Sequence, residues 1–340
     1  MNSAVDVNCP ICKTVITIDG FNVVACGKCS FEYAFIRYLS GDNSRKIFQE
    51  KINTAKRKYS LSLIERNSNP NRFTLTGDSI AYISADTNTL SIIKDNNIEH
   101  ISGVLQYSAS ERNTAILYED GKVSVQGDNS YGQCSTEALK DIICVLCAPN
   151  CVYAVNKVGQ VTIVGAVIDN KIKKWKNIKT LACGSFHVLG LSKDGTVLIA
   201  GDMLDNNMIE SVSNWKNVKS IAAATDCGVA LFRDGTVGFA GRKNDSRNEV
   251  ESWEKIVSIG VDSSYVIGIT EDGEIKLAGS CKAFLDMGRS AAKEWKNVIA
   301  VTCSRSGIAA ITEDGSLKIA GNFSGNIDEV CDAWAENVEI

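Results

Sequence analysis

From about residue 72 onward, apolar and polar positions alternate in short runs, and each run is interrupted at a fixed point by Gly121, Gly159, Gly195, Gly235, Gly273 or Gly315, with Asn88 in the same place of a weaker first copy. Two residues after each turn stands an aliphatic side chain: Leu90, Val123, Val161, Val197, Val237, Ile275 or Leu317. Four residues after comes a second, from Ile92 through Phe239 to Ile319, and six after comes a closing glycine (Gly127, Gly165, Gly201, Gly241, Gly279, Gly321), with Lys94 the exception. On the near side, Leu117, Val155, Leu191, Leu231, Ile269 and Ile311 hold one column. A period of two on both sides of a glycine turn predicts a β-hairpin, because successive side chains of a strand point to opposite faces.

A further strand is expected before each hairpin, its entry marked by Trp175, Trp215, Trp253 and Trp295, each twenty residues ahead of its turn glycine. Seven copies of at least three short strands predict an all-β, seven-bladed β-propeller over residues 71–340. Trp334 opens a repeat that has no hairpin after it, and the hairpin of the first copy lacks a preceding strand. Residues 334–340 are therefore expected to form a strand that completes the first blade and removes two exposed sheet edges.

The N-terminal part follows another pattern. Cys9-Pro-Ile-Cys12 and Cys26-Gly-Lys-Cys29 are two Cys-x-x-Cys knuckles. Four thiolates at this spacing suit one tetrahedral structural Zn2+ and leave no open position for catalysis. Between them Val15–Ile18 and Phe21–Val24 are β-prone, with Asp19-Gly20 as a hairpin turn signal. Residues 1–40 thus resemble a zinc ribbon, too small to fold on a hydrophobic core and dependent on the metal for ~10–16 kcal/mol of apparent binding free energy. Residues 41–70 are expected to form a helical linker. Phe48, Ile52, Ala55, Tyr59 and Leu63 recur on one helical face, and Arg45, Lys46, Lys51, Lys56, Arg57 and Lys58 make the rest basic.

Charge is distributed to match. Residues 1–70 hold 10 Lys/Arg and 6 Asp/Glu, while the remaining residues hold 26 and 34, so a segment of net charge +4 precedes one of −8. The overall −4 excludes a strongly basic nucleic-acid coat, and two histidines leave little for histidine catalysis. No apolar run approaches the ~20 residues of a membrane helix, so no membrane partner is expected. The start shows no secretory signal, and thirteen cysteines, an odd number, fit reduced thiols in the cytoplasm.

The segment Cys183-Gly-Ser-Phe-His-Val-Leu-Gly-Leu-Ser-Lys-Asp-Gly-Thr-Val-Leu-Ile-Ala-Gly201, with Gly127-Asp-Asn-Ser-Tyr-Gly-Gln-Cys134, resembles the regulator-of-chromosome-condensation repeat family. The resemblance implies the propeller fold and a protein-binding platform. One repeat keeps the histidine (His187) and one keeps the Gly-Gln tail. Nucleotide exchange on a small GTPase, the founding activity of that family, is expected less than plain binding, since no long insertion is present to act as a wedge.

Cys144, Cys147 and Cys151 look like a further metal site, but the repeat register assigns Cys147 and Cys151 to packing columns. His187 falls in the column of Cys151 and reads as structural. The Asp-Gly carboxylates read as turn formers, and Lys171, Lys173, Lys174, Lys176 and Lys179 as a solvated inter-blade loop. Between two small-residue columns lie loop tips that vary from blade to blade: Glu111 and Arg112, Asn150, Phe186, Asp226, Ser264 and Arg305. A fixed frame with varied tips is how repeat scaffolds bind partners. The expectation is a non-enzymatic protein-protein interaction scaffold with a structural zinc ribbon, the alternative being a nucleic-acid-associated factor that uses the ribbon and the basic helix.

Overall fold

The computed structural model describes residues 72–338 except 203, 243, 280–285 and 287, together with 5–9, 11, 15–18, 24–25, 32–33, 50, 52–56, 58–59 and 62. The chain divides into two compact units, residues 1–63 and 64–340. Among the described residues no helix is long and apolar enough to cross a membrane.

In the first unit, Val5–Asn8 pairs antiparallel with Val15–Ile18, and Val24–Ala25 pairs with Glu32–Tyr33. The expected strand at Val15–Ile18 is present and pairs with Val5–Asn8, while the expected hairpin across Asp19-Gly20 lies, but for Val24, outside the described residues. Residues 19–23, Cys12, Cys26 and Cys29 lie outside the described residues. Helical residues between 50 and 62 bury Ile52 and half-bury Ala55 and Tyr59, with Lys56 and Lys58 exposed. Phe48 and Leu63 of the expected face are outside the described set.

The second unit holds seven antiparallel sheets, matching a seven-bladed propeller. Blade one has four strands, Phe73–Leu75, Ile80–Ile83, Leu90–Lys94 and Asn97–Ile101. Six three-stranded blades follow, within residues 104–127, 142–165, 178–201, 218–240, 256–279 and 298–321. The first strands of successive blades lie side by side, and that of blade seven returns to Phe73–Leu75, closing the ring.

The columns read from the sequence become the blade cores. Leu117, Val155, Leu191, Leu231, Ile269 and Ile311 on the middle strands are each no more than 1% exposed. The turn glycines take φ between +74° and +86°, and Asn88 takes φ +50° in their place. Asn tolerates the left-handed region because its short amide can bond locally. Here its side chain accepts from Arg72 and donates to Glu119. The closing glycines answer a different need. A Cβ on Gly201 would sit 2.2 Å from the Phe186 carbonyl oxygen, and one on Gly127 2.1 Å from that of Arg112.

Trp175, Trp215 and Trp253 seal seams between blades. Trp175, Trp215, Trp253 and Trp295 cap short helical segments at Asn170–Lys174, α1 (Asn206–Asn214), Ser246–Ser252 and Arg289–Glu294. Trp175 packs among blade-three and blade-four side chains, and the next two do the same one blade on. A glycine under the ring permits the approach: a Cβ on Gly190 would lie 2.7 Å from Trp175, and on Gly268 2.9 Å from Trp253.

The closure differs from the expectation. Residues 327–337 form α2 (Ile327–Asn337), not a strand, and blade one is built wholly from residues 73–101. The reason lies at Gly77: the chain folds back there, so Phe73–Leu75 pairs with Ile80–Ile83 and already fills the inner-strand position. Trp334 covers the seam instead: it is 1% exposed, and its ring lies 5.4 Å from Tyr82 and 6.2 Å from Phe73. Ser324 adds backbone and hydroxyl hydrogen bonds to the Gly77 carbonyl.

Candidate functional site

In every blade the connection from inner to middle strand emerges at one end of the sheet, and the hairpin turn at the other. The closing glycine brings the end of the outer strand against the first of these connections, so the loops and the segments leaving each blade share a face. This loop face carries the variable tips.

Its blades differ in chemistry. Around blades five to seven, buried charge predominates. Arg247 leaves blade five in the segment Ser246–Ser252, is 4% exposed, and donates to Asp226 at 2.9 Å, Asp245 at 2.6 Å and the Asp262 carbonyl at 3.2 Å. Its guanidinium also lies 5.6 Å from the Phe239 ring centre. Arg289 is placed alike one blade later, 5% exposed, with Nε 3.7 Å from Asp262 Oδ2 and a terminal nitrogen donating to the Arg305 carbonyl. Asp262 accepts from the backbone N–H groups of Ser264 and Tyr265, while burial pushes its carboxyl pKa up against these contacts. This network fixes the frame from which the tips project.

Around blades two to four the same face exposes apolar groups: Tyr131 at 56%, Phe186 at 48% and Val167 at 38%. Gln133 lies beside Tyr131, fully buried, and its Cβ sits under the closing glycine of blade three.

The tips named from the sequence take these positions. Arg305 and Glu111, nearly two hundred residues apart in the chain, meet at 3.2 Å across blade one, both strongly exposed. Arg112 faces Asp128 at 3.6 Å. Asp226 is half-exposed and partly committed to Arg247. Ser264 and Asn150 are half-buried, with the Asn150 carbonyl accepting from Ala166. Phe186 projects freely. Arg247, Arg289 and Gln133 were not among the sequence candidates. They lie outside the repeat columns, in segments whose length varies, and the usable signal was a charged or amide residue a few positions beyond a closing glycine.

Cys144, Cys147 and Cys151 are packing groups. Cys144 lies in the seam of blades three and four, and Cys147 in the seam of blades two and three. Three residues apart on one strand, they point to opposite faces and cannot grip one ion. Burial raises the pKa of Cys147, Cys183 and Cys227 to about 12, far from a reactive thiolate. Among the described residues no group of His, Cys, Asp and Glu is arranged to hold a metal.

His187 is 2% exposed behind Phe186, and burial lowers its pKa from 6.5 to about 4 despite a backbone hydrogen bond with Cys227. The unfolded chain therefore binds this proton near pH 6.5, the folded chain only near pH 4. The stability from the neutral ring is complete above that window and is lost as pH falls through it, by at most ~1.4 kcal/mol per pH unit. His187→Gln is expected to flatten the fall in Tm between pH 6.5 and 4. An unchanged slope in thermal melts across that range would show that another group governs it.

The model of the Regulator of chromosome condensation (RCC1) repeat family matches residues 178–207, which span blade four and the segment leaving it. No curated protein matches the chain in sequence. Among solved structures, the chain is similar to Prp20p from Saccharomyces cerevisiae, at 17% identity over 64% of this chain and 72% of that one, with a TM-score of 0.51. It is also similar to the ectodomain of the Physcomitrella patens receptor kinase CR4, at 14% identity over 75% and 74%, TM-score 0.57. Human WBSCR16 gives 15% identity over 67% and 79%, TM-score 0.51. These likenesses are of fold.

Proposed function

We propose that this chain, built on an RCC1-like propeller, is a non-enzymatic scaffold that grips a protein on the loop face. The observation that carries the reading is the exposed apolar arc of Tyr131, Phe186 and Val167 beside tips held rigid by the Arg247 and Arg289 networks. Apolar anchors flanked by polar groups on an ordered frame are what protein interfaces use. Prp20p, described by its binding to Gsp1p and histones, lends the fold a protein-binding precedent. Exchange on a small GTPase is the narrower form of this reading and is tested by release of a fluorescent nucleotide. The scaffold is expected in the cytoplasm.

The experiment is capture from native lysate by the full chain, compared with the Phe186→Asp and Glu111→Arg/Arg305→Glu variants. A stoichiometric protein retained by the parent and lost with Phe186→Asp supports the reading. Retention unaffected by either variant overturns it.

For the first unit we infer one structural zinc held by Cys9, Cys12, Cys26 and Cys29. Cys9 is buried and its sulfur accepts the N–H of Ile11 at 3.4 Å, as a knuckle thiolate does. The purified chain is expected to carry one zinc, and Cys26→Ser or a strong chelator to unfold the first unit while the propeller melts unchanged. Absence of zinc from a fully reduced preparation, measured by elemental analysis, would remove the site.

A nucleic-acid reading rests on the +4 charge of residues 1–70 and on the exposed Lys56 and Lys58. It requires recovered nucleic acid to fall away steeply with salt, because phosphate contacts release counterions.

A further inference from the structure

The face opposite the loops is made of hairpin turns, and at one position of each turn the charge is sorted by blade. Two residues before the turn position, blades three to five carry Lys157, Lys193 and Arg233, whereas blades six, seven, one and two carry Glu271, Glu313, Asp86 and Glu119. The positions from blade two to blade seven are equivalent in space as well as in sequence. In each, the backbone N–H donates to the carbonyl at the entry of the same blade's inner strand, at 2.8–3.0 Å.

The inner-strand entries add to the same arc. Lys176 and Lys179 enter blade four, and Lys216 and Lys219 enter blade five, where two lysines stand at each entry; blades six and seven carry Lys255 and Lys296 there, the latter paired with Glu274 at 2.8 Å. The blades are linked here: Lys193 Nζ donates to the Lys157 carbonyl at 3.0 Å, and the Val218 N–H to that of Gly195 at 3.0 Å. The carboxylates within the arc are occupied locally. Asp194 and Asp234 accept from Thr196 and Thr236 in their own turns, and Asp141 pairs with Lys157. At one end of the arc, blade three exposes Val158 at 68% and Ile143 at 38%.

A surface that serves only solubility intersperses its signs. Segregated signs on a rigid ring produce a field that draws in one kind of partner and sets its orientation. We propose that the turn face of blades three to five is a second docking surface, taking an acidic polypeptide segment that carries an aliphatic side chain. Charge complementarity supplies the first requirement, and Val158 with Ile143 the second. The same features disfavour nucleic acid. The exposed apolar groups of the arc are aliphatic rather than aromatic platforms for bases.

The test uses the full chain with a fluorescent glutamate-rich peptide containing leucines, read by anisotropy beside a single-stranded oligonucleotide of matched charge. The peptide is expected to bind, with affinity weakened about tenfold or more, ~1.4 kcal/mol, by Lys157→Glu/Lys193→Glu/Arg233→Glu. Val158→Ser, which leaves charge unchanged, is expected to weaken it severalfold. Phe186→Asp on the loop face should leave it unaltered, which separates this surface from the one under the proposed function. Thermal melts check folding, and Lys193→Gln serves if the triple variant does not fold. No peptide binding, or binding indifferent to the charge reversals, would overturn the proposal. So would an oligonucleotide bound as tightly and lost with the same variants.

Discussion

Trp334→Ala should destabilise the propeller by about 3–5 kcal/mol, the usual cost of emptying a large aromatic site, and lower its Tm by on the order of 10 °C. Three features make this site expensive. The side chain is buried to 1% exposure, it packs on Phe73 and Tyr82 of blade one, and its indole N–H donates to the Gly315 carbonyl of blade seven at 2.8 Å. It therefore joins the two ends of the ring, where among the described residues no strand pairing crosses between blades seven and one. Trp334→Phe keeps most of the ring volume and loses the hydrogen bond, so its cost should be roughly 1–2 kcal/mol. Limited proteolysis should cut first in blade one of the alanine variant, because that blade loses the aromatic cover over Phe73 and Tyr82. A Trp334→Ala protein as stable as one altered at the exposed Ile209 would show that the seam is held by other contacts.

Arg247→Ala should cost about 3 kcal/mol, near the lower end of what breaking a buried ion pair costs, since Asp226 is partly hydrated. The loss leaves Asp245, with its side chain 12% exposed, without its cation, and empties the space under the closing glycine of blade six. Arg247→Met separates the two effects. It fills the volume without the charge, so a methionine variant as unstable as the alanine one assigns the cost to the stranded carboxylate. Chemical denaturation of both variants reads this directly. Equal stability of Arg247→Ala and the parent would mean that Asp226 and Asp245 reach water on their own.

Much of the frame was legible because it repeats. A period-two pattern around a glycine recurs only if the same hairpin recurs, and the copies bury equivalent positions. The Trp entries were legible for the same reason, since a large side chain at constant distance from a turn must meet the same neighbour each time. The peripheral helical segments were not anticipated, although Asp169, Asp205 and Asp245 each cap one by accepting a backbone N–H. That capping signal stood in the sequence, but the intervening lengths vary and no column displayed it. The C-terminal strand was expected from closure logic, and α2 formed because the fold-back at Gly77 had already supplied the inner strand.

By itself the sequence determined the strands of blades two to seven, their turns, the number of blades and which side chains their cores bury, because these follow from local periodicity repeated along the chain. The tertiary structure alone decided how the ring closes, that Arg305 meets Glu111, that Arg247 lies buried among aspartates, and that the charges at one position of the turns fall into two arcs. Those outcomes depend on which segments become neighbours once the blades are arranged in a circle, and residues far apart in a linear pattern carry no mark of that adjacency.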